Sequence, residues 1–261
     1  MLGQIVEFLQ QNGNLFKWLV AVLFAIVLVV LVFIARKYET SHVSNSKKIK
    51  KMAAIAILSG LSVALYYFPK FNVPFLPSFL EFHFSSVPML IGGFLFGPVS
   101  GSLIAIVRFL AKLPASGTAG VGEIMDLLIG VLTVLVSSII YHHRKSKKNA
   151  IIGMAASTVV WTTVAVLLNW LFILQFYVLL YFGGDINALI GFMRMIPGIT
   201  IDDYMLPYLL YAVIPFNLML STAVSVMTFF LYKRISKLYE HDFSRHPQPE
   251  KTENDVKEEN A

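Results

Sequence analysis

The chain has 261 residues, 57% of them hydrophobic, against roughly 45–50% in a soluble domain. Its mean hydropathy of +0.71, with apolar runs near the length of about 20 residues that crosses a bilayer core, excludes a soluble globular fold. The formal net charge of +6 sits in clusters beside those runs, where it sets orientation and is no nucleic-acid signal; the lack of cysteine excludes disulfides and thiolate metal sites.

The first apolar run is Phe16–Ala35. It is too long for a signal peptide, and no small-x-small site follows it. Arg36 and Lys37 come directly after, which places its N-terminus outside. A basic linker, Lys37–Lys51, separates it from the rest. The second span, Met52–Phe68, carries Ala56, Gly60 and Ala64 four apart on one face. Such a face lets another backbone approach closely, within this chain or from a partner.

A Pro-rich turn (Pro69, Pro74, Pro77) then feeds Phe79-Leu80-Glu81-Phe82-His83-Phe84-Ser85-Ser86. An aromatic, polar-tipped loop entering a membrane helix reads as a recognition element. His83 is either an amphipathic loop residue or a pH switch. The third span, Ser86–Phe96, breaks at Gly97-Pro98, and the fourth, Ser100–Leu113, carries Arg108. The Gly-rich segment Pro114–Gly122 lacks the Gly-Lys-Ser/Thr ending of a phosphate loop and reads as a turn. Further spans are expected at Glu123–Tyr141, Ala150–Tyr177 and Tyr204–Leu231, with a long loop at Tyr181–Asp203. The tail from His241 is charged and reads as disordered. If seven helices alternate, the basic clusters at 36–51, 144–148 and 233–237 share one side. The expected topology is therefore N-terminus outside and C-terminus cytoplasmic. The loops at 69–85 and 178–203 then face outward.

Arg108, Glu123, Asp126, Asn169 and Asn217 interrupt the apolar spans. Ionisable groups there are costly and usually face a protein interior or a cavity; near an interface they are simply solvated. Glu123 and Asp126, three apart on one helix face, have the arrangement of an acid–base pair or half a metal site. Nothing completes it: there is no His-Glu-x-x-His, no serine elbow and no second acidic pair, so no catalytic residue and no metal ligand is assigned. Asn169 and Asn217 lie deeper. An amide there makes an interhelical hydrogen bond, often of less than about 1 kcal/mol, or offers a ligand both donor and acceptor.

At these residues the chain resembles the energy-coupling-factor (ECF) transporter S components, membrane-embedded vitamin-binding subunits, and within them the riboflavin branch. The resemblance spans about Lys50 to Lys237. It rests on Leu80–Gly93, Phe96-Gly97-Pro98-Val99-Ser100-Gly101, Gly117–Glu123, Leu168-Asn169-Trp170-Leu171-Phe172-Ile173-Leu174 and Ala212-Val213-Ile214-Pro215-Phe216-Asn217. It implies an all-α membrane protein of the bacterial plasma membrane, with a six-helix core (46–240), an added N-terminal transmembrane helix with its linker (1–45) and a cytoplasmic tail (241–261). It implies no enzyme and no covalent cofactor, but a binding subunit that works with a transmembrane coupling protein and two ATPases.

The resemblance matches Asn169 and Asn217 to the ligand-binding asparagines of the branch, and Ala56, Gly60 and Ala64 to the face that docks on the coupling protein. For a flavin ring, Phe82 and Phe84 are expected to cover the outside, with Glu123 and Asp126 among the ligand contacts. The chain departs from the branch at Glu81–Ser86, Arg108-Phe109, Asp126 and Leu220, the last standing where the branch has lysine. Riboflavin, a flavin nucleotide (FMN or FAD), another vitamin, or a non-binding assembly role are the alternatives these departures leave.

Overall fold

A computed structural model describes residues 22, 25, 26, 29–38, 45–74 and 76–244. The expected span Phe16–Ala35 lies largely outside these residues; within it, 29–35 are helical, and the helix runs on to 37. Residues 245–261 of the expected tail also lie outside them.

The first long helix, α1 (Asn45–Tyr67), begins inside the stretch expected to be a linker. A hairpin follows, β1 (Lys70–Asn72) against β2 (Glu81–His83), with Phe71 opposite Phe82. The apolar helices α2 (Ser86–Phe96) and α3 (Pro98–Lys112) come next, then a 3-10 turn at Leu113–Ala115 and α4 (Val121–His143). The helix α5 (Lys147–Leu168) passes through a π-helical turn, Asn169–Ile173, into α6 (Leu174–Phe182). Within the expected long loop stands a short helix, α7 (Ile186–Phe192). It forms because Leu189, Met193 and Ile196 bury themselves against the bundle, while Asp185 caps its N-terminus by accepting from the Asn187 amide at 2.8 Å. The last helix repeats the pattern of the sixth span: α8 (Met205–Tyr208), a π-turn at Leu209–Val213, and α9 (Ile214–Ser244), which runs past the expected tail boundary at His241.

Among the described residues, five helical runs are long and apolar enough to cross a membrane: Lys48–Tyr67, Pro98–Ala115, Val121–His143, Lys147–Phe182 and Met205–Ile235. The expected third span is different. At 11 residues α2 is about 16 Å long, half a bilayer core. Ten of its residues are buried, so it is a short core helix enclosed by the longer ones. Close packing explains this: a Cβ on Gly93 would collide with Ser138 Oγ. The break after α2 requires glycine as well, since Gly97 has φ 113°, a region that side chains disfavour. Pro98 then starts α3, where its missing N–H leaves nothing unsatisfied.

The contacts define two ends of the bundle. At one, Lys51 donates to the Phe96 carbonyl, His142 lies 3.1 Å from the Gly93 carbonyl, and the Phe94 ring meets Tyr141 and Tyr232. The basic clusters after α4 and near the end of α9 belong to this end. At the other, Tyr66, Lys112, Asp126, Asn169 and Tyr208 converge under the hairpin.

Candidate binding cavity

An inner chamber of about 120 Å³ lies at the hairpin end. It opens into a vestibule of about 490 Å³, and Tyr66, Phe79, Glu81, Thr118 and Glu123 line both. Together they are on the scale of a small-molecule site. The deep wall is Trp161, Asn169, Phe216, Asn217 and Leu220 from the two π-turn helices.

The two asparagines are held rigidly. Asn169 Oδ1 accepts from the Tyr208 hydroxyl at 2.9 Å, and its Nδ2 donates to the Ala165 carbonyl at 2.8 Å. Asn217 Oδ1 accepts from Trp161 Nε1 at 2.9 Å, and its Nδ2 donates to the Val213 carbonyl at 2.8 Å. An amide has two donors and two acceptor lone pairs, so Asn217 keeps one of each for the cavity, whereas Asn169 also donates to Met125 Sδ at 3.9 Å and keeps an acceptor lone pair. The π-turns place them there. A wide turn interrupts the regular i to i−4 ladder, and Asn169 opens one such turn while Tyr208 immediately precedes the other.

A charged cluster forms the floor on the α3–α4 side. Asp126 Oδ2 meets Lys112 Nζ at 2.6 Å and Arg108 Nη2 at 3.0 Å. Arg108 Nη1 also donates to Ser85 Oγ at 2.7 Å and Ser86 Oγ at 3.2 Å, tying this cluster to the base of the hairpin. Lys112 Nζ stands 3.7 Å from the centre of the Tyr66 ring, a cation–π contact. His83 packs edge-on to Tyr66, and its Nδ1 lies 3.0 Å from Ser85 Oγ. Burial disfavours the charged imidazole and holds its pKa down to about 3, outweighing the attraction of Asp126. His83 is thus a neutral wall residue at physiological pH.

Glu123 is fixed by the Gly-rich turn. The hydroxyls of Ser116 and Thr118 both donate to its Oε2 at 2.7 Å, and Ser116 Oγ accepts from the Gly120 amide at 2.8 Å. The turn's own hydroxyls thus hold the Glu123 carboxylate at the cavity.

The structure brings Glu123, Asp126, Asn169 and Asn217 to one cavity. Phe82 and Phe84 are not among the side chains that line it. Phe82 is buried on the other side of β2, stacked on Phe71 at 4.9 Å and edge-on to Phe84 and Phe216. Alternation along the strand explains the correction: Glu81 and His83 face the cavity, so Phe82 faces away. The aromatic cover is instead Phe79, 4.9 Å from Tyr177. Tyr66, Trp161, Tyr177 and Tyr208 escape the sequence reading, since an aromatic in an apolar helix looks like core, and Lys112 escapes it as well. The four-residue spacing of Arg108 and Lys112, two cations on one face of an apolar helix, was a usable signal. Ala56, Gly60 and Ala64 lie outside the cavity, all exposed on α1, and a Cβ on Gly60 would meet nothing within 4 Å. Among the described residues, no group of three or more His, Cys, Asp or Glu is placed to hold a metal.

A bundle of membrane-length helices with a polar, aromatic-walled cavity at one end is the build of a membrane protein that takes up a small solute. The family described as ECF transporter, substrate-specific component, matches residues 50–232, and the chain belongs to it. Its class is therefore transport, not catalysis. The riboflavin transporter RibU of Staphylococcus aureus is 30% identical over 192 residues, covering 74% of this chain and 93% of that protein. The riboflavin transporter FmnP of Bacillus subtilis is 22% identical, covering 76% and 98%. A solved S component of a bacterial ECF transporter superposes with a TM-score of 0.55 at 30% identity, covering 74% of this chain and 98% of that one.

Proposed function

We propose that the chain is the substrate-binding membrane subunit of an ECF-type vitamin transporter and that its cargo is riboflavin. The cavity carries this reading: an aromatic cover of Phe79, Tyr66 and Tyr177 faces two immobilised amides, Asn217 with a spare donor and acceptor and Asn169 with a spare acceptor. A planar, heteroatom-rich ring needs that combination of apolar wall and a few fixed polar groups. Asn169 and Asn217 take the polar edge of the ring, and Glu123 and Asp126 accept from its hydroxyl chain. Similarity to proteins named as riboflavin transporters, over most of their length, supports the same cargo.

The vestibule favours riboflavin over its nucleotides. Its charged lining is Glu81, Glu123 and Lys70, and Lys70 is already paired with Glu81 at 2.6 Å. A phosphate there meets a net negative rim.

The core, residues 46–240, works with a transmembrane coupling protein and two ATPases. The exposed small-residue face of Ala56, Gly60 and Ala64 is the docking surface, since no part of the described chain packs on Gly60. The cavity opens outward and the basic end is cytoplasmic, with the N-terminus outside and the C-terminus inside.

Titration of the purified protein with riboflavin and FMN, followed by flavin fluorescence quenching, tests the cargo. Saturable one-to-one riboflavin binding is expected, with FMN weaker by at least about tenfold. Binding of neither would refute the flavin assignment. Equal affinities would refute the role of the vestibule charges.

A further inference from the structure

Away from the cavity, an apolar groove of about 620 Å³ runs between α5 and α9, in the half of the bundle nearer the basic end. Ile151, Met154 and Ala155 form one bank, and Val226, Phe229 and Phe230 the other. Across its floor Thr158 Oγ1 lies 3.3 Å from Ser225 Oγ, so the two helices are joined beneath an open channel. None of the lining side chains is acidic.

The mouth of the groove is cationic on both banks. Lys147 and Lys148 stand four and three residues before Ile151, on the face that lines the groove. Lys233 stands four residues after Phe229, and its Nζ lies 4.9 Å from the centre of that ring. Arg234 adjoins it and is exposed. A long apolar channel that ends between two pairs of cations at a membrane boundary has the complement of an acyl chain joined to an anionic headgroup. The same cations set orientation, but orientation requires only their side of the membrane and not their phase with the groove.

We propose that this groove is a binding site for an anionic phospholipid, with an acyl chain along Ile151, Met154, Val226 and Phe229 and the headgroup phosphate between Lys147, Lys148, Lys233 and Arg234. It is independent of the vitamin cavity at the other end of the bundle.

The test is native mass spectrometry of the full chain in detergent, titrated with phosphatidylglycerol and with phosphatidylcholine of the same acyl chains. Phosphatidylglycerol is expected to bind at least about tenfold more tightly, given roughly fivefold per cation near an anionic lipid. The fourfold variant Lys147→Gln/Lys148→Gln/Lys233→Gln/Arg234→Gln should bring phosphatidylglycerol down to the level of phosphatidylcholine. Val226→Trp, which leaves every charge in place, should weaken both lipids by filling the channel. Equal binding of the two lipids by the parent chain would overturn the proposal, as would a preference that survives the fourfold variant. The chain has no cysteine, so cysteines placed one at a time at 16–28 and paired with Val226→Cys give a clean cross-linking readout. A disulfide formed there would make the groove a seat for the chain's own N-terminal segment and overturn the proposal equally.

Discussion

The sharpest physical test of the cavity floor is Asp126→Asn. One carboxylate oxygen serves two cations, at 2.6 Å and 3.0 Å, and the side chains of Lys112 and Arg108 are only 3% and 1% exposed. The substitution keeps the volume and one acceptor oxygen but removes the negative charge. Two buried cations then face each other across an amide. Removing one partner of a buried ion pair costs about 3–5 kcal/mol. The Asp126 side chain is 20% exposed, so solvent screening places the expected loss at the lower end, about 2–3 kcal/mol. At 2–4 °C per kcal/mol for a domain of this size, the ligand-free protein should melt roughly 5–10 °C lower. Adding Lys112→Met removes the surplus cation and should restore part of that loss. Lys70→Gln, which breaks the half-exposed pair with Glu81, is the control and should shift melting by no more than about 2 °C. Melting is followed in detergent by loss of the monodisperse peak, without ligand, because bound cargo would mask the difference. An Asp126→Asn protein that melts within about 2 °C of the parent, or a double variant less stable than the single one, refutes the reasoning.

Asn169→Ala and Asn217→Ala should each weaken riboflavin by about five- to 150-fold, the equivalent of one buried partner lost, as read by isothermal titration; unchanged affinity in both would put the site elsewhere. Gly60→Leu should leave riboflavin binding intact, because its side chain enters open space, while abolishing uptake by cells that supply the coupling module. Loss of binding together with expression would instead mean that this face packs internally. The neutral His83 predicts a pH dependence of stability. Its folded pKa of about 3 lies below the unfolded value near 6.5, so the unfolded chain gains a proton first as pH falls. Stability should drop by about 2 kcal/mol between pH 7 and pH 5, and His83→Gln should flatten that slope in thermal melts.

The membrane helices were legible because apolar length is a strong signal, and the α2 boundaries follow from Gly97-Pro98. That α2 is enclosed and too short to span was not legible, since an apolar run reads the same in lipid and in protein. The hairpin escaped because three-residue strands are shorter than any alternation that can be recognised. Its register decides which aromatic meets the cavity, which is why Phe79 replaces Phe82 and Phe84. Asn169 and Asn217 stood out as amides in apolar helices, whereas their partners Tyr208 and Trp161 are ordinary core residues until the fold pairs them.

The two π-turns lie in neighbouring helices and meet through the Asn169–Tyr208 bond. A π-turn holds one residue more than the α-helical turn it replaces, so everything beyond it is rotated by about 100° relative to an uninterrupted helix. The outer segments Leu174–Phe182 and Met205–Tyr208 therefore have an angular phase separate from the longer halves that carry Trp161, Asn217 and Leu220. A one-residue insertion or deletion within either π-turn would re-aim the outer side chains, Tyr177 in one helix and Tyr208 in the other, while leaving the deep wall of Trp161, Asn217 and Leu220 in place. In a family whose members share a scaffold, such single-residue length changes are a route to new cargo that substitutions alone do not offer.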